Sequence, residues 1–195
     1  MGEPALRTYT YAEYLELEEA SLDVKHEWED GVILPMAGGT RDHSLLAANL
    51  MVQFGVALRG RPCRAYTSDA RMRVPATGLA TYPDLTVVCG QAAPHPEDKD
   101  AITNPVLLVE VLSESTEQRD RGRKLAHYET IESLRHYLLV SQDQVRIEHF
   151  QRAEAGSWRF KSYGSGGRIP LPDLDVVIDV DELYAETELL AGTAP

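Results

Sequence analysis

Apolar and polar positions in this chain change period several times, and each change marks an element. Residues 10–20 (TYAEYLELEEA) read as a short acidic helix, with Thr10 at the N-cap and Glu13 three positions on, the spacing of a capping box. In Lys25–Met36, Asp30-Gly31 separates two extended runs. That pair predicts a hairpin, because a tight turn of the required hand needs positive φ. Alternation sets His26 and Trp28 on one face and Glu27 and Glu29 on the other. Gly38-Gly39-Thr40 then leads into a long helix at about 41–58, where Leu46, Leu50, Phe54 and Leu58 form an apolar stripe. His43 lies in its first turn, either capping and packing the helix start or facing a site.

Residues 62–75 read as a second hairpin, Cys63–Thr67 followed by Ala70–Val74, with Arg71 and Arg73 on one face and Met72 and Val74 on the other. A strand at 82–89 carries Asp84, Thr86 and Val88 on one face, and the polar, proline-containing stretch 90–104 reads as an exposed loop. Residues 105–113 are almost continuously apolar, as expected of a central strand covered on both faces, and Glu110 shares a face with Leu108 and Leu112. Ser113–Thr116 supply cap residues for a helix at about 117–130, and Leu134–Val140 is the next strand. Strand, helix and strand at this spacing predict a right-handed parallel crossover. Its helix presents Asp120, Lys124 and Tyr128 on one face, able to look towards the strand ends. Residues 144–150 and 158–163 alternate and extend the sheet in antiparallel fashion. An apolar tail, Leu171 to Leu183, packs along the core, and the last residues fray. These elements make one α/β (α+β) domain, a parallel crossover extended by antiparallel hairpins, with no linker or second-domain boundary.

Composition adds constraints. No apolar run approaches the roughly 20 residues that cross a bilayer, and the N-terminus lacks the apolar core of a secretory signal. Cys63 and Cys89 are far apart in sequence and form no C-x-x-C pair. They read as reduced, buried residues of a cytoplasmic protein, with no zinc site. The net charge of −12 argues against a nucleic-acid partner. Its distribution softens that argument. Residues 13–30 hold eight acids and one base, residues 173–188 hold seven acids and no base, and everything else sums to +2. Arg59, Arg61, Arg64, Arg71 and Arg73 form one basic cluster, and Arg119, Arg121, Arg123 and Lys124 another. These are either solvated surface arginines or phosphate contacts, with Arg71, Arg73 and Arg121 the phosphate-binding candidates.

Glu110 is the most informative side chain, because an unpaired carboxylate in a buried strand costs several kcal/mol or takes up a proton. A cation nearby relieves that cost. Asp84 and Glu110 on neighbouring strands can together hold a hard divalent ion, since Mg²⁺ takes one or two carboxylates, keeps waters and accepts phosphate oxygens. Such a metal polarises a phosphodiester and acidifies the attacking water, and a lysine such as Lys124 can orient that water or stabilise developing charge. The plainer reading of Lys124 is an exposed ion pair with Asp120 at i,i+4.

Several motifs carry a resemblance: His26-Glu-Trp-Glu-Asp-Gly31, Gly39-Thr-Arg-Asp-His43, Tyr82-Pro-Asp84, Val109-Glu-Val-Leu-Ser-Glu-Ser-Thr116, Asp120-Arg-Gly-Arg-Lys-Leu-Ala-His-Tyr128 and His136-Tyr-Leu-Leu-Val140. Over nearly the whole chain the sequence resembles the Uma2 family of the PD-(D/E)XK nuclease superfamily. The resemblance implies a restriction endonuclease-like fold, a mixed β-sheet flanked by helices over residues 8–184 with a tail at 185–195, Mg²⁺ at Asp84 and Glu110, and DNA cleavage. The Val111 carbonyl is a further candidate ligand, Mn²⁺ is an alternative ion, and a homodimer would suit cutting two strands. It makes Glu27 an accessory acid, with His43, Asp120 and Tyr128 further candidates near the site. One departure stands out. The superfamily lysine two residues after the acid is replaced by Leu112, so Lys124 would supply the amine from the following helix. The alternative is a catalytically degenerate nuclease fold serving as a nucleic-acid or protein interaction module.

Overall fold

A computed structural model describes residues 7–36 and 38–191. Helix α1 (Tyr11–Ala20) opens with the predicted capping box: the Thr10 side chain accepts from the Glu13 amide, and the Glu13 carboxylate accepts from the Thr10 amide. Strands β1 (His26–Glu29) and β2 (Val32–Pro35) form the predicted hairpin, with φ of 52° at Asp30 and 83° at Gly31. Helix α2 (Arg41–Ala57) buries Leu46, Leu50 and Phe54 along the expected stripe.

Two sheets follow. The strands are β3 (Cys63–Thr67), β4 (Met72–Arg73), β5 (Ala80–Thr81), β6 (Leu85–Cys89), β7 (Pro94–His95), β8 (Asp98–Ile102), β9 (Leu107–Leu112), β10 (His136–Ser141), β11 (Ile147–Arg152), β12 (Trp158–Tyr163), β13 (Arg168–Leu171) and β14 (Val176–Asp179). The first sheet has the order β2-β1-β5-β4-β8-β7, and the second β12-β11-β10-β9-β6-β3. β13 and β14 pair separately and lead into a short helix, Val180–Leu183. The mixed sheets and flanking helices agree with the restriction endonuclease-like expectation. β9 and β10 are parallel, joined by the predicted crossover, α3 (residues 117–128), while β10, β11 and β12 are antiparallel.

The near-continuous apolar run of β9 follows from its place between two cores. Leu107, Val109 and Val111 join α2 and the β13–β14 hairpin in one cluster. Leu108 and Leu112 join Tyr128, Tyr137 and Leu139 in the other, on the α3 side. Glu110, of the same parity as Leu108 and Leu112, therefore turns towards α3, and it is buried.

Four readings need correction. β3 does not form a hairpin with β4: it pairs antiparallel with β6, while β4 lies in the other sheet. The turn signals at 68–70 thus mark a change of sheet. Residues 94–102 are not an exposed loop, because β7 and β8 close the first sheet and Asp98 is buried against Arg71 and Tyr11. Cys63 and Cys89 are not free thiols: the β3–β6 register sets them opposite each other, and they form a disulfide with Cα atoms 3.9 Å apart. Finally, α3 is not a uniform α-helix. A π-type segment, Asp120–Lys124, separates two α-helical pieces, Glu117–Arg119 and Leu125–Tyr128. The fraying expected at the C-terminus concerns residues 192–195, outside the described residues. No helix among those described is long and apolar enough to cross a membrane.

Candidate active site

β6 and β9 run antiparallel with Leu85 opposite Val109 and Thr86 opposite Leu108. One further step in that register brings Asp84, just before β6, opposite Glu110. Cross-strand neighbours on one face have Cβ atoms about 4.5–5.5 Å apart. Asp84 is tied in place because its Oδ2 accepts a 2.7 Å hydrogen bond from the Val111 amide. The two carboxylates thus share one face at the end of the central strands.

α3 closes over this face. Lys124 is buried, and its Nζ lies 3.0 Å from Glu110 Oε1, 3.1 Å from Glu27 Oε1 and 3.1 Å from Asp120 Oδ1. Only the Glu110 contact has hydrogen-bonding geometry. Asp120 Oδ1 is a buried oxygen held by charge proximity alone. Tyr128, one turn further on, donates a 2.8 Å bond to the same Glu110 oxygen. Below, the Tyr137 hydroxyl donates to the Asp120 carbonyl at 3.2 Å, and the Tyr128 and Tyr137 rings meet edge to face. π-type segments recur at functional sites, and here Asp120 and Lys124 form the two ends of one. Thr116 makes no side-chain cap. Its hydroxyl pairs with that of Ser113 at 2.9 Å on the rim instead.

β1 supplies the third wall. Its burial alternates so that Glu27 and Glu29, not His26 and Trp28, point inwards. Glu27 accepts from Thr81 and Arg119 as well as facing Lys124. Glu29 is held by Arg119, Arg123 and His127. On the opposite lip, Thr40 caps α2 by accepting from the His43 amide, and His43 Nε2 lies 3.4 Å from Asp84 Oδ2. His43 thus does both of the things open to it in the sequence: it sits in the capped first turn and it faces the site. Glu27, Arg119, Thr40, His43, Asp84, Glu110, Asp120 and Lys124 line a cleft of about 910 Å³ that also takes in Val111, Ser113–Thr116 and Gln142, while Glu29 stands behind Arg119 outside it.

Protonation follows the geometry. Burial pushes the Glu110 carboxyl up to about 8. Lys124 opposes that rise, and the negative charges of Asp120 and Asp84 add to it. Burial disfavours the Lys124 ammonium, but Glu110 and Asp120 outweigh burial and hold its pKa above the usual lysine range. The hydrogen bond with Asp84 raises the His43 imidazole, against the opposing effect of burial.

The cleft therefore holds more negative charge than its cations neutralise, with a carboxylate that resists ionising and a buried carboxylate oxygen lacking a hydrogen bond. Those features fit a divalent cation. Among the described residues no three His, Cys, Asp or Glu side chains form a metal-holding group by themselves. Mg²⁺ does not require one, since one or two carboxylates with waters and substrate oxygens commonly suffice. The residues present suit such an ion.

Asp84, Glu110, Val111, Lys124, Glu27, His43 and Asp120 all line this one cleft, with Tyr128 just beneath. The three arginines read as phosphate contacts do not. Arg71 binds Asp98 and the Tyr82 hydroxyl. Arg73 is buried with its guanidinium 3.8 Å from the Tyr11 ring centre and 4.9 Å from that of Trp28. Arg121 pairs with Glu117 and Glu148. The sequence shows Arg119 in a basic cluster and Glu29 on one face with Glu27, but not that Arg119 joins both acids beside the site. The signal was present in β1, where two acids share a face. Alternation pairs faces but does not say which face is buried.

Comparisons with known proteins give a consistent picture. A family model named Uma2, described as "Putative restriction endonuclease", matches residues 11–182. The uncharacterized protein slr1290 of Synechocystis sp. is 37% identical over 175 residues, 88% of this chain and 89% of the relative. The uncharacterized protein sll1609 of the same organism is 34% identical over 149 residues, 76% of this chain and 84% of the relative. A crystal structure described as a putative nuclease belonging to DUF820, from Anabaena variabilis, superposes with a TM-score of 0.72. It covers 89% of this chain and 96% of that one at 15% identity, a likeness of fold.

Proposed function

The chain belongs to the Uma2 family, the family described as a putative restriction endonuclease, and from that premise we propose that it is a Mg²⁺-dependent endonuclease that hydrolyses DNA phosphodiester bonds. The observation that carries this reading is the meeting of Asp84 and Glu110, from adjacent strands, with the Lys124 ammonium 3.0 Å from Glu110. Asp84, Glu110 and the Val111 carbonyl would hold Mg²⁺, or Mn²⁺ in its place. The bound ion would supply Lewis-acid polarisation of the phosphate and a more acidic water.

The remaining work falls to the protein's own groups. Lys124, fixed by Glu110, Glu27 and Asp120, presents a charged donor to the attacking water and to charge that develops on the phosphate. Tyr128 keeps the Glu110 carboxylate oriented, and the Val111 amide does the same for Asp84. His43 stands beside Asp84 at the open side of the cleft, where it can carry a proton. The lysine absent at Leu112 is in this way replaced in function from α3.

The acidic lining of the cleft supports a second reading, a nuclease-fold module that binds a partner without cutting. A plasmid-nicking assay separates the two. The nuclease reading expects nicking with Mg²⁺ that stops with EDTA and is lost in Asp84→Ala. Cleavage unchanged in Asp84→Ala would sink it, and a binding module expects no metal dependence at all.

A further inference from the structure

Arg119 lies on the cleft wall, yet its guanidinium is not free to meet a ligand. Nε and one terminal nitrogen donate to Glu29 Oε2 at 3.2 and 3.0 Å, and the other terminal nitrogen donates to Glu27 Oε2. Glu27 and Glu29 are two residues apart on β1, so they point to the same face. A planar guanidinium offers five N–H donors in a rigid fork and can hold two such carboxylates at once in a fixed geometry. The two oxygens of Glu27 are thereby divided. Oε2 goes to Arg119, while Oε1 receives the Thr81 hydroxyl and faces Lys124 at 3.1 Å.

The consequence concerns Lys124. Its ammonium has three carboxylates within reach but hydrogen-bonding geometry to Glu110 alone. Without a second cation on Glu27, the full charge of that carboxylate would face Lys124. Lys124 would then be drawn across the cleft towards β1 and away from Glu110. Arg119 also stands immediately before the π-type segment that ends in Lys124, so its bridge to β1 fixes the start of the segment that carries the amine.

The geometry points to Arg119 as a positioning residue for the cleavage reaction: through Glu27 it keeps the Lys124 ammonium on Glu110. This inference rests on the nuclease reading for its effect on rate, but not for its effect on structure. Glu29 is the outer anchor. It has no contact with Lys124 and does not line the cleft, so it offers a variant remote from the chemistry.

The test combines kinetics with a structure. Arg119→Ala is expected to lower kcat for plasmid cleavage in Mg²⁺ by about tenfold or more with KM within about twofold, because displacement of a reacting group costs rate and not ground-state binding. Glu29→Gln is expected to lower kcat in the same direction, and the double variant to be no slower than Arg119→Ala, as coupled residues behave. A crystal structure of Arg119→Ala is expected to show Lys124 Nζ withdrawn from Glu110 towards Glu27. The inference is overturned if Lys124 stays on Glu110 in that structure. It is also overturned if KM rises while kcat holds and the salt dependence of binding weakens, the signature of a phosphate contact. If the unaltered protein cuts no DNA, the nuclease reading fails, and the position of Lys124 in the Arg119→Ala structure still decides the inference. If the variant does not crystallise, Glu29→Gln supplies both readouts.

Discussion

Lys124 Nζ lies 3.0 Å from Glu110 Oε1, although one residue stands on the crossover helix and the other on the central strand β9. Each makes the other's burial tolerable. Breaking a buried ion pair by removing one partner typically costs about 3–5 kcal/mol, because the remaining charge is stranded. Here three carboxylates would lose the ammonium together, and Glu110 would retain a proton. Lys124→Ala should therefore melt well below the unaltered protein, and Mg²⁺ should restore part of the difference by neutralising the same carboxylates. Thermal melts with Mg²⁺ and with EDTA check this. Cleavage should fall about 100-fold or more, and unimpaired cleavage by Lys124→Ala would remove that residue from the mechanism.

Tyr128 acts on the same carboxylate from below. Its hydroxyl donates to Glu110 Oε1 at 2.8 Å, and burial beside Glu110 keeps the phenol protonated. Tyr128→Phe keeps the packing against Tyr137 but removes the donor. A cost of about 1.5–3 kcal/mol is expected, the range for a hydrogen bond to a charged group. Glu110 should also ionise less readily, so calorimetric titration with Mg²⁺ or Mn²⁺ should show weaker binding. Unchanged metal affinity would argue that Glu110 is not a ligand.

Much of this arrangement can be read in the sequence, and the reason differs from part to part. The crossover β9–α3–β10 is legible because a doubly covered strand is apolar throughout and the helix after it carries its own period. Glu110 stands out against that run for the same reason. The β1–β2 hairpin is legible from Asp30-Gly31, a local requirement for positive φ. What is not legible is long-range pairing. β3 and β4 look like a hairpin because nothing local reveals that β3 joins β6 in another sheet. The same ignorance hides the disulfide, which depends on that register. The arginines fail for a related reason. Arg71 and Arg73 have the right charge for phosphate, but their partners Asp98, Tyr11 and Trp28 come from distant segments.

The Cys63–Cys89 disulfide closes a separation of 26 residues that includes Thr81 and Asp84. Cross-links of this span stabilise by about 2–4 kcal/mol, chiefly by restricting the unfolded chain. The oxidised protein should melt higher than the same protein in reductant. A Cys63→Ser/Cys89→Ser variant should match the reduced protein and ignore the reductant. Identical melting of oxidised and reduced protein, with the bond verified by mass, would show that the β3–β6 pairing is stable without it.

A second pair of titrating groups lies away from the cleft. His136 Nδ1 and His149 Nε2 are 3.0 Å apart and both residues are buried, while His136 Nε2 meets Asp173 Oδ2 at 3.0 Å. Burial, with the like charge of His136 and then Lys161, pushes the His149 imidazole down to about 4. Burial also lowers His136, against the opposing pull of Asp173. In the unfolded chain a histidine titrates near 6.5, so between these values the unfolded state binds more protons. Stability is then fully present above about pH 6.5 and is lost as the pH falls towards 4, on the order of 2–3 kcal/mol for His149. Urea unfolding at pH 7.5 and pH 5 should record the loss. His149→Gln, which cannot take up the proton, should show a smaller difference between the two pH values. An equal loss in that variant would assign the acid sensitivity to groups other than this histidine.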